Sequence, residues 1–185
     1  MRLYQISLNL CLAVTAITTT PVFAKAPANT QPVLQHDIID KNLVNEWVQY
    51  KFLNMKIEQE GENFQNKLLP IIQGQDEQLF LKFQKEIKDL FIQGDQQIQA
   101  LQFRNPSMQK LAKLQHENFE LVLKVLPNHF ALVFYPEDEI KAKIGMDSEQ
   151  HIKEFMKASA TTAAVKQQEA LIEAQVWQYL KDHPL

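Results

Sequence analysis

Between Asp76 and Phe103 the apolar residues keep a helical spacing without a break, and no other stretch limits the possible folds so strongly. Phe80, Phe83, Ile87 and Leu90 fall three, four and three residues apart, and Leu79, Phe91 and Ile98 widen that line into a broad stripe. As a helix the stretch would run about 40 Å. A stripe of this width is stable in water only when other helices cover it. The implied fold class is all-α: a single-domain helical bundle of about five to six helices, one or two of them kinked or broken.

The chain opens with Met1-Arg2, an apolar run from Leu8 to Ile17, and Val22-Phe23-Ala24 before Lys25-Ala26-Pro27. One early positive charge, a short apolar core and small residues before a cut after Ala24 make the layout of a signal peptide over residues 1–24. The run is shorter than the roughly 20 residues that span a bilayer. Residues 25–36, with Pro27 and Pro32, then read as a flexible leader, and residues 37–185 as the helical domain. The expected address is the periplasm or the medium, with no integral membrane span after cleavage.

Cys11 is the only cysteine and falls inside residues 1–24. Cleavage would therefore remove disulfides, thiolate metal sites and a cysteine nucleophile together. Without Arg2, 18 of the 19 Lys and Arg remain against 22 acids, a net charge of about −4. Acids sit beside the lysines, as in Lys85-Glu86-Ile87-Lys88-Asp89, so the clustered cations that nucleic acid requires are missing.

The first helix is expected near Asp37, carrying Ile38, Ile39, Leu43, Val44, Trp47, Val48, Tyr50, Phe52, Leu53, Met55 and Ile57 over an arc wide enough to be covered on two sides, with a stop at Gly61. A short helix from Glu62 to Gln73 follows, which Pro70 should kink or end. Asp76-Glu77 suits the negative start of the long stripe helix, and Gly94 within it marks either a bend or a close crossing. Asn105-Pro106 is a cap followed by proline at the first helical position, with Pro127-Asn128 as the expected close. For His129 to Tyr135, helix or irregular core is favoured over strand, because a lone strand has no partner. Pro136 begins another short helix carrying Ile140 and Ile144 and stopped by Gly145. Asp147-Ser148-Glu149-Gln150 is a capping box for a last helix toward Leu180, with Ser159 to Thr162 as the place where it could be interrupted. Alanines along that helix imply tight packing, within the bundle or across a homodimer. Gln93, Gln96, Gln97, Gln99, Gln102, Gln167 and Gln168 read as a solvated helix surface, with a polar face that hydrogen-bonds an extended peptide or glycan as the sharper alternative.

Few residues suggest chemistry. His116-Glu117-Asn118-Phe119-Glu120 resembles the zinc-protease helix motif, but Glu120 stands where the second histidine should be. His36 with Asp40 and Asp147 with His151 each put imidazole and carboxylate one turn apart, and His129 reads as a buried core histidine. Ser107, Ser148 and Ser159 lie in no glycine-flanked elbow, and Gly61, Gly74, Gly94 and Gly145 are too scattered for a phosphate cradle. A helical enzyme of chorismate-mutase type would hold a dianion with Arg104 helped by Lys51, Lys56 and Lys110, although lysine lacks the bidentate fork.

The expected function is a non-enzymatic exported protein that binds another protein as an adaptor, inhibitor, immunity-type or chaperone-like module. A periplasmic carrier of a small hydrophobic ligand and the helical enzyme are the alternatives. Catalytic, cofactor-binding and metal residues are all expected to be none, with no cofactor and no nucleic acid as partner.

Overall fold

The computed structural model describes residues 41–136, 139, 143 and 148–183. They form four α-helices and no strand: α1 (Lys41–Gly74), α2 (Glu77–Ala100), α3 (Pro106–Phe134) and α4 (Ser148–Asp182). The expected signal peptide and leader, the pairs His36–Asp40 and Asp147–His151, and most of the helix after Pro136 lie outside the described residues, in whole or in part. No helix among the described residues is long and apolar enough to cross a membrane.

Among the described residues there are four helices where five to six were predicted for the domain: expected breaks at Gly61, Pro70 and Pro127 are crossed, and the short helix expected after Pro136 lies mostly outside those residues. Gly61 does not stop α1, which runs on to Gly74. The residues beyond it, Phe64, Leu68 and Ile71, stay in line with the core, and their burial outweighs the roughly 1 kcal/mol that a mid-helix glycine costs. Pro70 falls in the last turn, where it removes one hydrogen bond near a terminus that frays anyway. Pro127 likewise lies inside α3. Past it, Phe130 meets Phe83 with centroids 5.5 Å apart and Phe134 stacks on Phe80 at 4.0 Å, so aromatic burial holds the last two turns helical. The segment His129 to Phe134 is therefore helix.

The starts agree with their signals. Asp76 caps α2 by accepting the Leu79 N–H at 3.0 Å, and Asn105 caps α3 by accepting the Ser107 N–H at 2.9 Å with Pro106 at the first position. α4 is unbroken through Thr161 and Thr162, whose hydroxyls donate to the carbonyls of Lys157 and Ala158 one turn back. α2 stops at Ala100, short of the expected Phe103, because Gln102 turns left-handed at φ 47°. The Glu46 carboxylate then receives the Arg104 and Asn105 N–H groups at 3.0 and 3.1 Å, tying this connection to α1.

One apolar core joins all four helices. Successive helices run antiparallel. Phe91 meets Phe119 and Phe80 meets Phe134 across α2 and α3, while Gln168 reaches the Ser107 carbonyl and Lys124 reaches Glu154 across α3 and α4. α1 packs on the other three, and α2 and α4 make no close backbone contact. Gly94 is a close crossing: a Cβ there would stand 2.7 Å from Ile57 Cδ1 of α1.

Candidate functional site

Lines of core residues at alternating spacings of three and four give each helix its inner face, and polar residues interrupt three of them. In α1 the line runs Leu43, Trp47, Tyr50, Asn54, Ile57; in α3 it runs Met108, Leu111, Gln115, Asn118, Val122. α4 adds Glu169 between Val165 and Ile172. Packing these lines together gathers the polar members at one level, where they pair with each other. The Tyr50 hydroxyl, fully buried, donates to Glu169 Oε1 at 2.9 Å and lies 3.4 Å from Gln115 Oε1. Asn54 Nδ2 donates to Glu58 Oε1 at 2.9 Å and reaches Glu169 Oε1 at 3.4 Å. Beside them the Thr162 hydroxyl, whose one hydrogen is shared with the Ala158 carbonyl, lies 2.8 Å from Asn118 Oδ1.

A cleft of about 60 Å³ opens beside this cluster, with Gly61, Phe119 and Lys166 in its wall. It is smaller than a benzene-sized cavity, which takes about 150 Å³, and suits a few waters. Burial pushes the Glu169 carboxyl above its usual range, opposed by Lys51, the Tyr50 hydrogen bond and Lys166. Burial also pushes the Tyr50 hydroxyl well up, reinforced by Glu169, and the Lys166 ammonium down. A carboxyl raised beside a lowered lysine is the kind of pair that proton transfer uses. Here, however, Glu169 is already engaged by Tyr50 and Asn54 within the core, an arrangement that fixes helix register and leaves little room for a substrate.

The residues singled out from sequence are placed elsewhere. His116 pairs with Asp95 of α2 at 2.8 Å, nearer than Glu120 at 3.6 Å, and this hydrogen bond raises its pKa. It links α3 to α2 on the surface. No three His, Cys, Asp or Glu side chains converge to hold a metal among the described residues. His129 is buried as expected, but its companion is His151 of α4, stacked with ring centroids 6.2 Å apart, and Phe155 stacks on His129 at 5.9 Å. His129 Nε2 and His151 Nδ1 find no hydrogen-bond partner among the described residues. Burial, then the neighbouring His151, lowers the His129 pKa to about 4. Arg104 is exposed in the α2–α3 connection. Lys51 and Lys56 lie over Trp47 and Phe52 on α1, and Lys110 is exposed on α3. Ser107 and Ser148 stand at helix starts and Ser159 within α4.

Two surface features were not legible as sites. Val48, Phe52 and Met55 form a line on the outside of α1, at one-turn spacing and 60, 60 and 61 % exposed. A groove of about 210 Å³ between α2 and α3 has a floor of Leu126, Pro127 and Phe130 and carries Lys85 and Lys88 at its side. Comparison with known protein families, curated proteins and solved structures gives no match for this chain.

Proposed function

We propose that this chain is an exported, non-enzymatic helical bundle that binds another protein through the outer stripe of α1. The observation that carries this reading is the line Val48, Phe52, Met55, three large apolar side chains held in water on a helix whose opposite face already fills the core. Contiguous apolar surface of this kind is costly to leave wet, and helix faces with anchors at one-turn spacing are a recurrent recognition mode. Lys56, 4.4 Å above the Phe52 ring, gives the stripe a basic flank, which favours a partner with an apolar groove and acidic rim. The leader features of residues 1–24 support export to the periplasm or medium.

Capture from the envelope fraction with the wild-type chain and with Phe52→Glu tests this. The expected result is one stoichiometric partner retained by the wild type and lost by the variant at unchanged melting temperature. Equal recovery by both would overturn the reading.

The α2–α3 groove supports a second reading, a carrier of a small anionic amphiphile. Its floor is apolar, and no carboxylate of the described residues pairs with Lys85 or Lys88. A medium-chain fatty acid would then raise the melting temperature of the wild type and not of a Lys85→Glu, Lys88→Glu chain.

A further inference from the structure

α4 meets α3 and α1 with one side, where Ala158, Val165 and Ile172 are buried. On its other side, between exposed Lys153, Lys157 and Glu173, runs a line without charge where such a helix normally shows polar side chains to water. Met156, Ala160, Ala163, Gln167, Ala170, Ala174 and Trp177 follow one another at spacings of four, three, four, three, four and three, and all are exposed. Met156 is 65 % and Trp177 58 % exposed, and Ile152 and Leu171 flank the line at 56 and 54 %. None of the seven carries a charge. This is the spacing of a coiled-coil seam, a line that helices keep apolar when a second helix lies along it.

The order of sizes along the seam identifies that second helix. Read from either end it runs large, small, small, Gln, small, small, large. Two antiparallel copies centred near Gln167 therefore set the Met156 end of one beside the Trp177 end of the other. The alanines then meet alanines, so the axes approach at the short end of the 8–10 Å usual for packed helices. The arrangement is a two-fold, self-complementary contact, the form that a symmetric dimer requires. The two Gln167 amides meet near the axis, where each can donate to and accept from the other and so fix the register. Antiparallel helix dipoles add a favourable sign. A foreign partner would need no such symmetry.

We propose that the outer face of α4 pairs with the same face of a second copy of this chain, antiparallel about Gln167. The strip from Ile152 to Trp177 is about 39 Å long and about 11 Å wide, roughly 430 Å² per copy and about half of a standard interface. The dimer is therefore weak and depends on concentration.

Because Cys11 is the only native cysteine, a full chain carrying Cys11→Ser accepts single probes cleanly. Under mild oxidation Gln167→Cys is expected to give a disulfide dimer. Ala160→Cys alone is not, because its two copies would stand about 20 Å apart along the axis. A mixture of the Ala160→Cys and Ala174→Cys chains is expected to give the mixed dimer. Adding Ala163→Glu, an exposed change that leaves helical content unaltered, is expected to lower the Gln167→Cys dimer yield at least tenfold. Absence of the Gln167→Cys dimer at several hundred micromolar would overturn the proposal. So would self-linking of Ala160→Cys as efficient as the mixture, or a yield insensitive to Ala163→Glu. Capture on the α1 stripe reads out separately: a chain that stays monomeric yet loses its partner with Phe52→Glu disproves the dimer alone.

Discussion

At the scale of single residues, the buried polar groups divide into those that are paired and those that are not. Glu169 is paired, and its hydrogen bonds to Tyr50 and Asn54 need only an acceptor oxygen. Glu169→Gln keeps that oxygen and removes a charge that burial disfavours, so its urea midpoint at pH 7 is expected to equal or exceed the wild-type value. Glu169→Ala leaves the buried Tyr50 hydroxyl with only the Gln115 oxygen at 3.4 Å, while Asn54 keeps Glu58, at a cost of about 2 kcal/mol in the same measurement. The His129–His151 pair gives a pH dependence whose sign follows from the lowered pKa. Unfolded, His129 takes its proton near 6.5; folded, only near 4. Between those values the unfolded chain binds the extra proton, so stability falls as pH falls, by about 3 kcal/mol at most. Denaturation across that window is expected to show the fall, and His129→Leu to flatten it. His116 acts in the other direction and in another range. Its pKa is raised by Asp95, so its contribution is complete below 6.5 and is lost as pH rises through the higher folded value.

At the scale of elements, α1 and α2 cross closely at Gly94. Alanine is the better helix former by roughly 1 kcal/mol, but its methyl would stand 2.7 Å from Ile57 Cδ1. Ile57→Val removes that atom. Gly94→Ala is therefore expected to be more favourable in the Ile57→Val background than in the wild type, a non-additivity of about 0.5 kcal/mol or more in a double-mutant cycle. The ends of α1 and α2 carry a different strain, since Gln75 and Gln102 hold left-handed φ angles of 50° and 47° where glycine is the usual choice. Gln102→Gly is expected to raise the melting temperature, corresponding to a few tenths to about 1 kcal/mol. Helix starts were legible because a cap is a local signal: Asp76 and Asn105 bond to backbone within three residues of themselves. Stops at Gly61, Pro70 and Pro127 were misread because continuing through them is decided by what lies across the core.

At the scale of the whole molecule, the four described helices each bury one side, and apolar lines remain on the outside of two of them, α1 and α4. The proposals of a protein partner and of a second copy account for one line each. The export reading predicts that chain recovered from the envelope begins at Lys25, and an intact mass retaining residues 1–24 would count against it. By itself the sequence determined the helical class, the starts of α2 and α3 and the burial of His129, because periodicity and caps act within one or two turns; at Gly94 it left a bend and a close crossing both open, and the contact with Ile57 decided between them. Only the tertiary structure decided that α1, α3 and α4 run unbroken, that His116 pairs with Asp95 and His129 with His151, and that Tyr50, Asn54, Gln115 and Glu169 meet. Those outcomes depend on side chains up to 119 positions apart, and their energies arise only once the helices are packed together.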